Sequence, residues 1–163
     1  MIIYVLLKGE ILIMNYFKLQ NNLLKQVCKG DKIYNFNYKV EDDHVILIHK
    51  YYIVRIPVND WYLDIKKIFD NKPPIKFDVN RMNDTGTIIK LTDELLLVDK
   101  RTLRKFVNMD AQGIYIDENY LKIFTNDRYE HLYFRGGTPK DPIIINNDLG
   151  EFLGVILPTV IRL

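Results

Sequence analysis

The sequence predicts an α+β fold of antiparallel sheet with a few short helices. Three observations predict it. β-branched and aromatic residues alternate with polar ones in runs such as Ile33–Val40 and Tyr51–Pro57, the pattern of half-buried antiparallel strands. Polar turns such as Glu41-Asp42-Asp43 and Asn126-Asp127-Arg128 separate such runs at short intervals. One order of elements, a strand, a short helix and a three-strand meander, is read twice along the chain. That order predicts a duplicated βαβββ unit with its helices on one face.

Met1–Ile13 reads MIIYVLLKGEILI. Lys8-Gly9-Glu10 interrupts its apolar runs, so none approaches the ~20 residues of a membrane span. Two readings stay open: an extra hairpin turning at Lys8-Gly9, or an extension ahead of a start at Met14. Asn15–Leu19 is a short strand candidate. Asn21 or Asn22 caps a helix whose stripe is Leu23, Leu24 and Val27, and Lys29-Gly30 closes it.

Ile33–Val40, Val45–Ile48 and Tyr51–Pro57 form the first meander. Asn59 or Asp60 caps a short helix over Trp61–Phe69, with Trp61, Ile65, Ile68 and Phe69 on its apolar face. Asp70–Pro74 is the clearest break, because Pro73-Pro74 fits neither a helix interior nor a central strand. Ile75–Val79 is a possible strand, and Ile88–Leu91 with Glu94–Val98 reads as a hairpin. Asp99 or Thr102 begins a second helix running to about Met109, with Leu103, Phe106 and Val107 apolar. Gly113–Asp117, Tyr120–Thr125 and His131–Arg135 form the second meander. Pro142–Asn146 and Glu151–Leu157 are the closing strands.

The repeat aligns Phe17–Val27 (FKLQNNLLKQV) with Leu97–Val107 (LVDKRTLRKFV), matching Leu23 with Leu103, Lys25 with Lys105 and Val27 with Val107. The chain then divides into an extension, residues 1–13, and one domain, residues 14–163, with halves near 15–69 and 88–158. The competing reading is two unrelated α+β segments.

Composition narrows the function classes. A chain of 163 residues is about one domain. Its 23 basic and 21 acidic residues leave a net charge of +2, so any electrostatic role must come from local clustering. The single cysteine, Cys28, excludes an internal disulfide and a Cys-rich zinc site, and a reducing compartment is its simplest home. His44, His49 and His131 form no HxxxH or HExxH, and strand-end or surface positions are the plain reading. Neither a phosphate loop, nor GxGxxG, nor a GxSxG elbow occurs. The sequence therefore predicts no enzyme, metal or cofactor.

The residues resemble the DNA polymerase sliding clamps. Each clamp domain is built from two βαβββ units. NYFKLQNNLLKQV is similar to the start of such domains. Pro142–Ile145 followed by Phe152–Pro158 resembles their closing hairpin, a Pro-led strand, an acidic turn and a hydrophobic strand ending at proline. The resemblance covers about Asn15 to Pro158. Clamp subunits carry two or three such domains and this chain has room for one, so a six-domain ring would take six copies. The size and the Ile-, Asn-, Lys- and Tyr-rich usage fit a phage or mobile-element protein.

The resemblance implies helices that line a hole and offer cations to DNA phosphates. The expected contacts are Lys25 and Lys29 beside the first helix, with Lys100, Arg101, Arg104 and Lys105 on the second. The implied function is a non-enzymatic replication accessory protein in the cytoplasm, a bacterial host's if phage-encoded. It would bind duplex DNA without sequence preference and tether a polymerase or other replication protein. A homo-oligomer is open, and no membrane is involved. The alternative is a phage-encoded interaction module that binds or inhibits a host protein. A minor-groove or single-strand binder is a third option.

Overall fold

The structure, a computed structural model, describes residues 16–29, 35–76, 78, 80–83, 85–125 and 129–161. Two antiparallel sheets hold the chain together. The first meander is β1 (Phe36–Val40), β2 (His44–His49) and β3 (Tyr52–Pro57), and the last is β8 (Leu132–Gly136), β9 (Ile143–Asn147) and β10 (Phe152–Ile156). β3 pairs with β10, so the two meanders merge in the order β1-β2-β3-β10-β9-β8. The two-residue β4 (Thr87–Ile88) closes this seven-stranded sheet. A smaller sheet has the order β5 (Lys90–Val98), β6 (Arg101–Val107), β7 (Gly113–Asp117).

The alternation read in the sequence sets the burial. Phe36 and Tyr38 of β1, and Tyr52, Val54 and Ile56 of β3, point into the main core. β10 is buried at every position, and β9 at four of five, because both faces of the sheet centre are covered. Ile46, Ile144, Phe152 and Val155 form a second cluster, with Met82 packed against it.

The first helix is α1, residues 16–28, so the strand expected at Asn15–Leu19 is helix from Tyr16 onward. Tyr16, Leu19, Leu23 and Val27 recur at helical spacing and meet the main core. Gln20, also buried, fastens the helix. Its Nε2 donates to the Asp60 carbonyl at 2.7 Å, and its Oε1 accepts from the Tyr62 N–H at 2.7 Å. Asn21 and Asn22 are therefore interior positions, not caps. The start expected near Met14 lies outside the described residues.

The helix expected over Trp61–Phe69 shortens to α2 (Ile65–Ile68), preceded by a 3-10 turn at Val58–Asp60. Asp64, rather than Asn59 or Asp60, caps it by accepting from the Lys66 and Lys67 N–H groups. Ile75 donates one backbone bond to Tyr38, but no strand forms at the described positions of Ile75–Val79. Phe77 and Val79 lie outside the described residues. α3 is Asn80–Asn83.

The largest correction concerns the expected helix at Thr102–Met109, which is β6. Leu103, Phe106 and Val107 have helical spacing, yet Leu103 and Phe106 lie an odd number of residues apart and so face opposite sides of a strand. Both are fully buried. β6 is the central strand of its sheet and is covered on both faces. Asp99 and Lys100 both adopt left-handed φ, 48° and 64°, which two-residue hairpin turns of type I′ require. β5 runs through the turn expected between Leu91 and Glu94, where the pairing register shifts instead.

Tyr120–Thr125, expected as a strand, starts inside α4 (Glu118–Leu121) and continues as turn. Asp117, the last residue of β7, caps α4 by accepting from the Asn119 N–H at 2.9 Å. The turn Asn126–Arg128 lies outside the described residues. Helix followed by three strands thus occurs twice, as α1-β1-β2-β3 and α4-β8-β9-β10. The second helix is α4, not a helix at Thr102. Leu23 of α1 and Leu121 of α4 belong to the same core cluster. Beyond β10, the Thr159 N–H donates to the Tyr115 carbonyl at 2.8 Å and stitches the larger sheet to β7.

Candidate nucleic-acid interface

The six expected cations do not form one stripe. Lys25 and Lys29 sit exposed on α1 and at its end. Lys100 and Arg101 are exposed at the β5–β6 hairpin. Arg104 and Lys105 point to opposite sides of β6, and both are engaged. The Arg104 guanidinium donates through Nε to Glu118 Oε1 at 2.8 Å and through Nη2 to the same oxygen. The two side chains are only 16% and 13% exposed. Lys105 Nζ donates to Glu94 Oε2 at 2.7 Å, and that bond raises its pKa. A cation already held by a carboxylate has less to offer a phosphate.

A different surface gathers unlike parts of the chain. A cavity of about 330 Å³ opens between α1, the ends of β1 to β3, and α4. Lys18, Asn22 and Gln26 lie along one α1 ridge, at successive i, i+4 positions. Asn35 borders β1, and Asn119 and Lys122 come from α4 and its exit. Among the described lining residues none is a carboxylate. Lys18 flanked the expected helix in the sequence; Lys122 carried no such signal, because its segment reads as strand. Once α1 starts at Tyr16, the Lys18, Asn22, Gln26 spacing is the sequence signature of this ridge.

The cavity's inner wall is aromatic. The His49 ring lies 4.7 Å from Phe36, 4.4 Å from Tyr52 and 6.2 Å from Tyr120. Tyr120 in turn stacks on Tyr51 at 5.8 Å. Burial raises the Tyr52 and Tyr120 hydroxyl pKa values, with the Asp117 charge adding to Tyr120. His49 Nδ1 accepts from the Tyr51 N–H at 3.3 Å, which puts the neutral ring's proton on Nε2. No family model, curated protein or solved structure matches this chain.

His49 gives a pH signature. Burial, and then the Lys50 charge, lower its pKa below the usual 6.5. The unfolded chain therefore binds the proton more readily in the window between the two values. Stability from the neutral ring is complete above about pH 6.5 and falls as pH drops toward the folded value. Thermal melts should show this loss as pH falls below about 6.5, and His49→Gln should flatten it.

A third feature is the β5 edge. Leu95 is 53% exposed and Leu97 74% exposed, with Leu96 partly exposed between them. β5 is an edge strand of nine residues, and a long apolar edge is a template for pairing with another chain. Among the described residues there is no His/Cys/Asp/Glu group suited to a metal. No helix there is long and apolar enough to cross a membrane.

Proposed function

We propose that this chain is a non-enzymatic DNA-replication accessory protein of sliding-clamp type. It holds duplex DNA through sequence-independent phosphate contacts and tethers a polymerase or other replication protein in the cytoplasm. One observation carries the reading. α1 and α4 pack on a common core and share a surface with Lys18 and Lys122, four amides and no carboxylate among its described lining. Lys25 and Lys29 extend the positive charge of α1. The twofold occurrence of helix and three-strand meander supports the same reading. Lys100 and Arg101 belong to a separate patch at the hairpin.

The test is duplex affinity against salt. Each phosphate neutralised contributes about 0.9 to the slope of log affinity against log salt. Lys18→Ala/Lys122→Ala should flatten the slope by about 2, equally on unrelated sequences. Lys105→Ala should leave it nearly unchanged, because Glu94 holds that ammonium. A wild-type protein with no duplex affinity at low salt, or a slope indifferent to Lys18 and Lys122, contradicts the reading.

The exposed leucines favour a second reading, a phage-encoded interaction module whose β5 edge engages a host protein. Leu95→Ser/Leu97→Ser should change stability by less than about 0.5 kcal/mol per site, as surface substitutions do. It should abolish capture of that partner. β5 can also pair with a second copy of the chain, and solution mass for wild type and this variant separates the two.

A further inference from the structure

We propose that the α1–α4 cavity receives one unstacked nucleotide, its base against the aromatic wall and its phosphate between Lys18 and Lys122. The inference rests on the phosphate-facing reading of that surface and goes beyond it, because backbone contacts to a duplex leave bases stacked in their helix.

The cavity's chemistry differs from a plain phosphate groove in three ways. First, it has volume. At about 330 Å³ it falls at the small end of ligand pockets, roughly 300 to 1,000 Å³, a size suited to a single nucleotide. Second, one wall is a set of π-faces. The partly exposed His49 and Tyr120 rings border the cavity with centroids 6.2 Å apart and the buried Tyr52 ring behind them, and bases stack on exposed aromatic faces with little regard to sequence. The wall is uncharged at neutral pH, because His49 holds a single proton on Nε2 and both phenols keep theirs.

Third, the rim is polar in a way that suits a base edge and an anion together. Asn22, Gln26 and Asn119 each offer a donor and an acceptor from one side chain, the pairing that reads base edges. Lys18 and Lys122 reach the rim from different elements. A purely apolar ligand would make no use of these exposed amides, and a bare phosphate would leave the aromatic wall uncovered. A nucleotide satisfies both.

The nucleotide can be a free monophosphate or the phosphorylated end of a single strand. Isothermal titration with adenosine 5′-monophosphate, adenosine and inorganic phosphate is the test, alongside a short oligothymidylate with and without a 5′-phosphate. The monophosphate should bind saturably and at least about tenfold more tightly than adenosine or phosphate alone. Lys18→Ala/Lys122→Ala should weaken it by about tenfold or more. Tyr120→Ala should weaken it comparably, with Tyr120→Phe restoring it. Asn22→Leu, at an exposed helix position that lines the cavity, removes a rim amide and should weaken binding, which keeps a readout where Tyr120→Ala fails to fold. A preference for the 5′-phosphorylated strand assigns the site to strand ends. Binding of the mononucleotide alone assigns it to free nucleotide. Both outcomes support the site.

No saturable nucleotide binding at millimolar concentration by the folded wild-type protein overturns the inference. So does binding that Lys18, Lys122 and Asn22 variants leave unchanged. Duplex binding without nucleotide binding removes this inference and leaves the duplex reading standing. Nucleotide binding without duplex affinity supports this inference and removes the duplex reading.

Discussion

Gly154→Ala should be among the most destabilising single-methyl additions in the chain. Gly154 sits at the middle of β10, opposite Val54 of β3. A Cβ there would overlap the Ile53 carbonyl oxygen and come within 2.6 Å of the Phe124 ring. The carbonyl belongs to a paired strand at the centre of the large sheet, so it cannot move without breaking register. Phe124 is itself buried, in the turn just past α4, so the ring has little room to yield. Overpacking a tight core costs about 1–3 kcal/mol and occasionally more. A backbone collision puts this site at the upper end, about 3 kcal/mol. At about 2–4 °C per kcal/mol for a chain of this size, the melting temperature should fall by roughly 10 °C. Gly150→Ala is the contrasting case. Its Cβ would meet open space, and only the left-handed φ of 80° resists it, at about 1 kcal/mol. Equal melting temperatures for the two variants would show that β3 and β10 do not approach as described.

Phe106→Ala should cost about as much, by the opposite mechanism. Phe106 is fully buried in β6, and its ring meets Phe134 of β8 edge-on at 4.9 Å. This contact joins the three-stranded sheet to the seven-stranded one. Truncating a buried Phe to Ala costs about 3–5 kcal/mol, from lost transfer free energy plus the cavity left behind. Denaturant titration should show that loss with an unchanged or slightly altered slope. Phe106→Leu should recover more than half of it. Leu97→Ala, at an exposed position of the facing strand, should be near neutral. A small effect for Phe106→Ala would mean that the β5–β7 sheet does not pack on the core.

These two residues also show what the sequence made legible. β1 and β3 were readable from their alternation of period two, and β2, β9 and β10 as short apolar runs bounded by turn residues, too short for a buried helix. β6 was not. The run Thr102 to Val107 buries Leu103 on one face and Phe106 on the other, and that two-sided burial imitates helical spacing. The turn that would have corrected it, Asp99-Lys100, lacks the glycine that usually marks a type I′ hairpin. α4 was hidden for the converse reason. Its few residues are too short for a period to show, and the β-rich composition of Gly113–Thr125 dominates. α1 was half legible: its leucines announced a helix, but Tyr16 to Leu19 is also an acceptable strand. The interface follows the elements. Lys25 lies on α1 and Lys29 at its end, while Lys100 and Arg101 sit at the β5–β6 hairpin and Arg104 and Lys105 are held along β6. Lys122 could be placed only by knowing where α4 lies.

The central claim is that DNA meets the surface shared by α1 and α4. Amide hydrogen exchange with and without a duplex, at low salt, reads this directly and needs no variant. Protection concentrated in residues 16–28 and Glu118–Leu121, with β5 and β6 unchanged, is the expected result. Protection confined to the β5–β6 hairpin, with α1 and α4 unaffected, would contradict it.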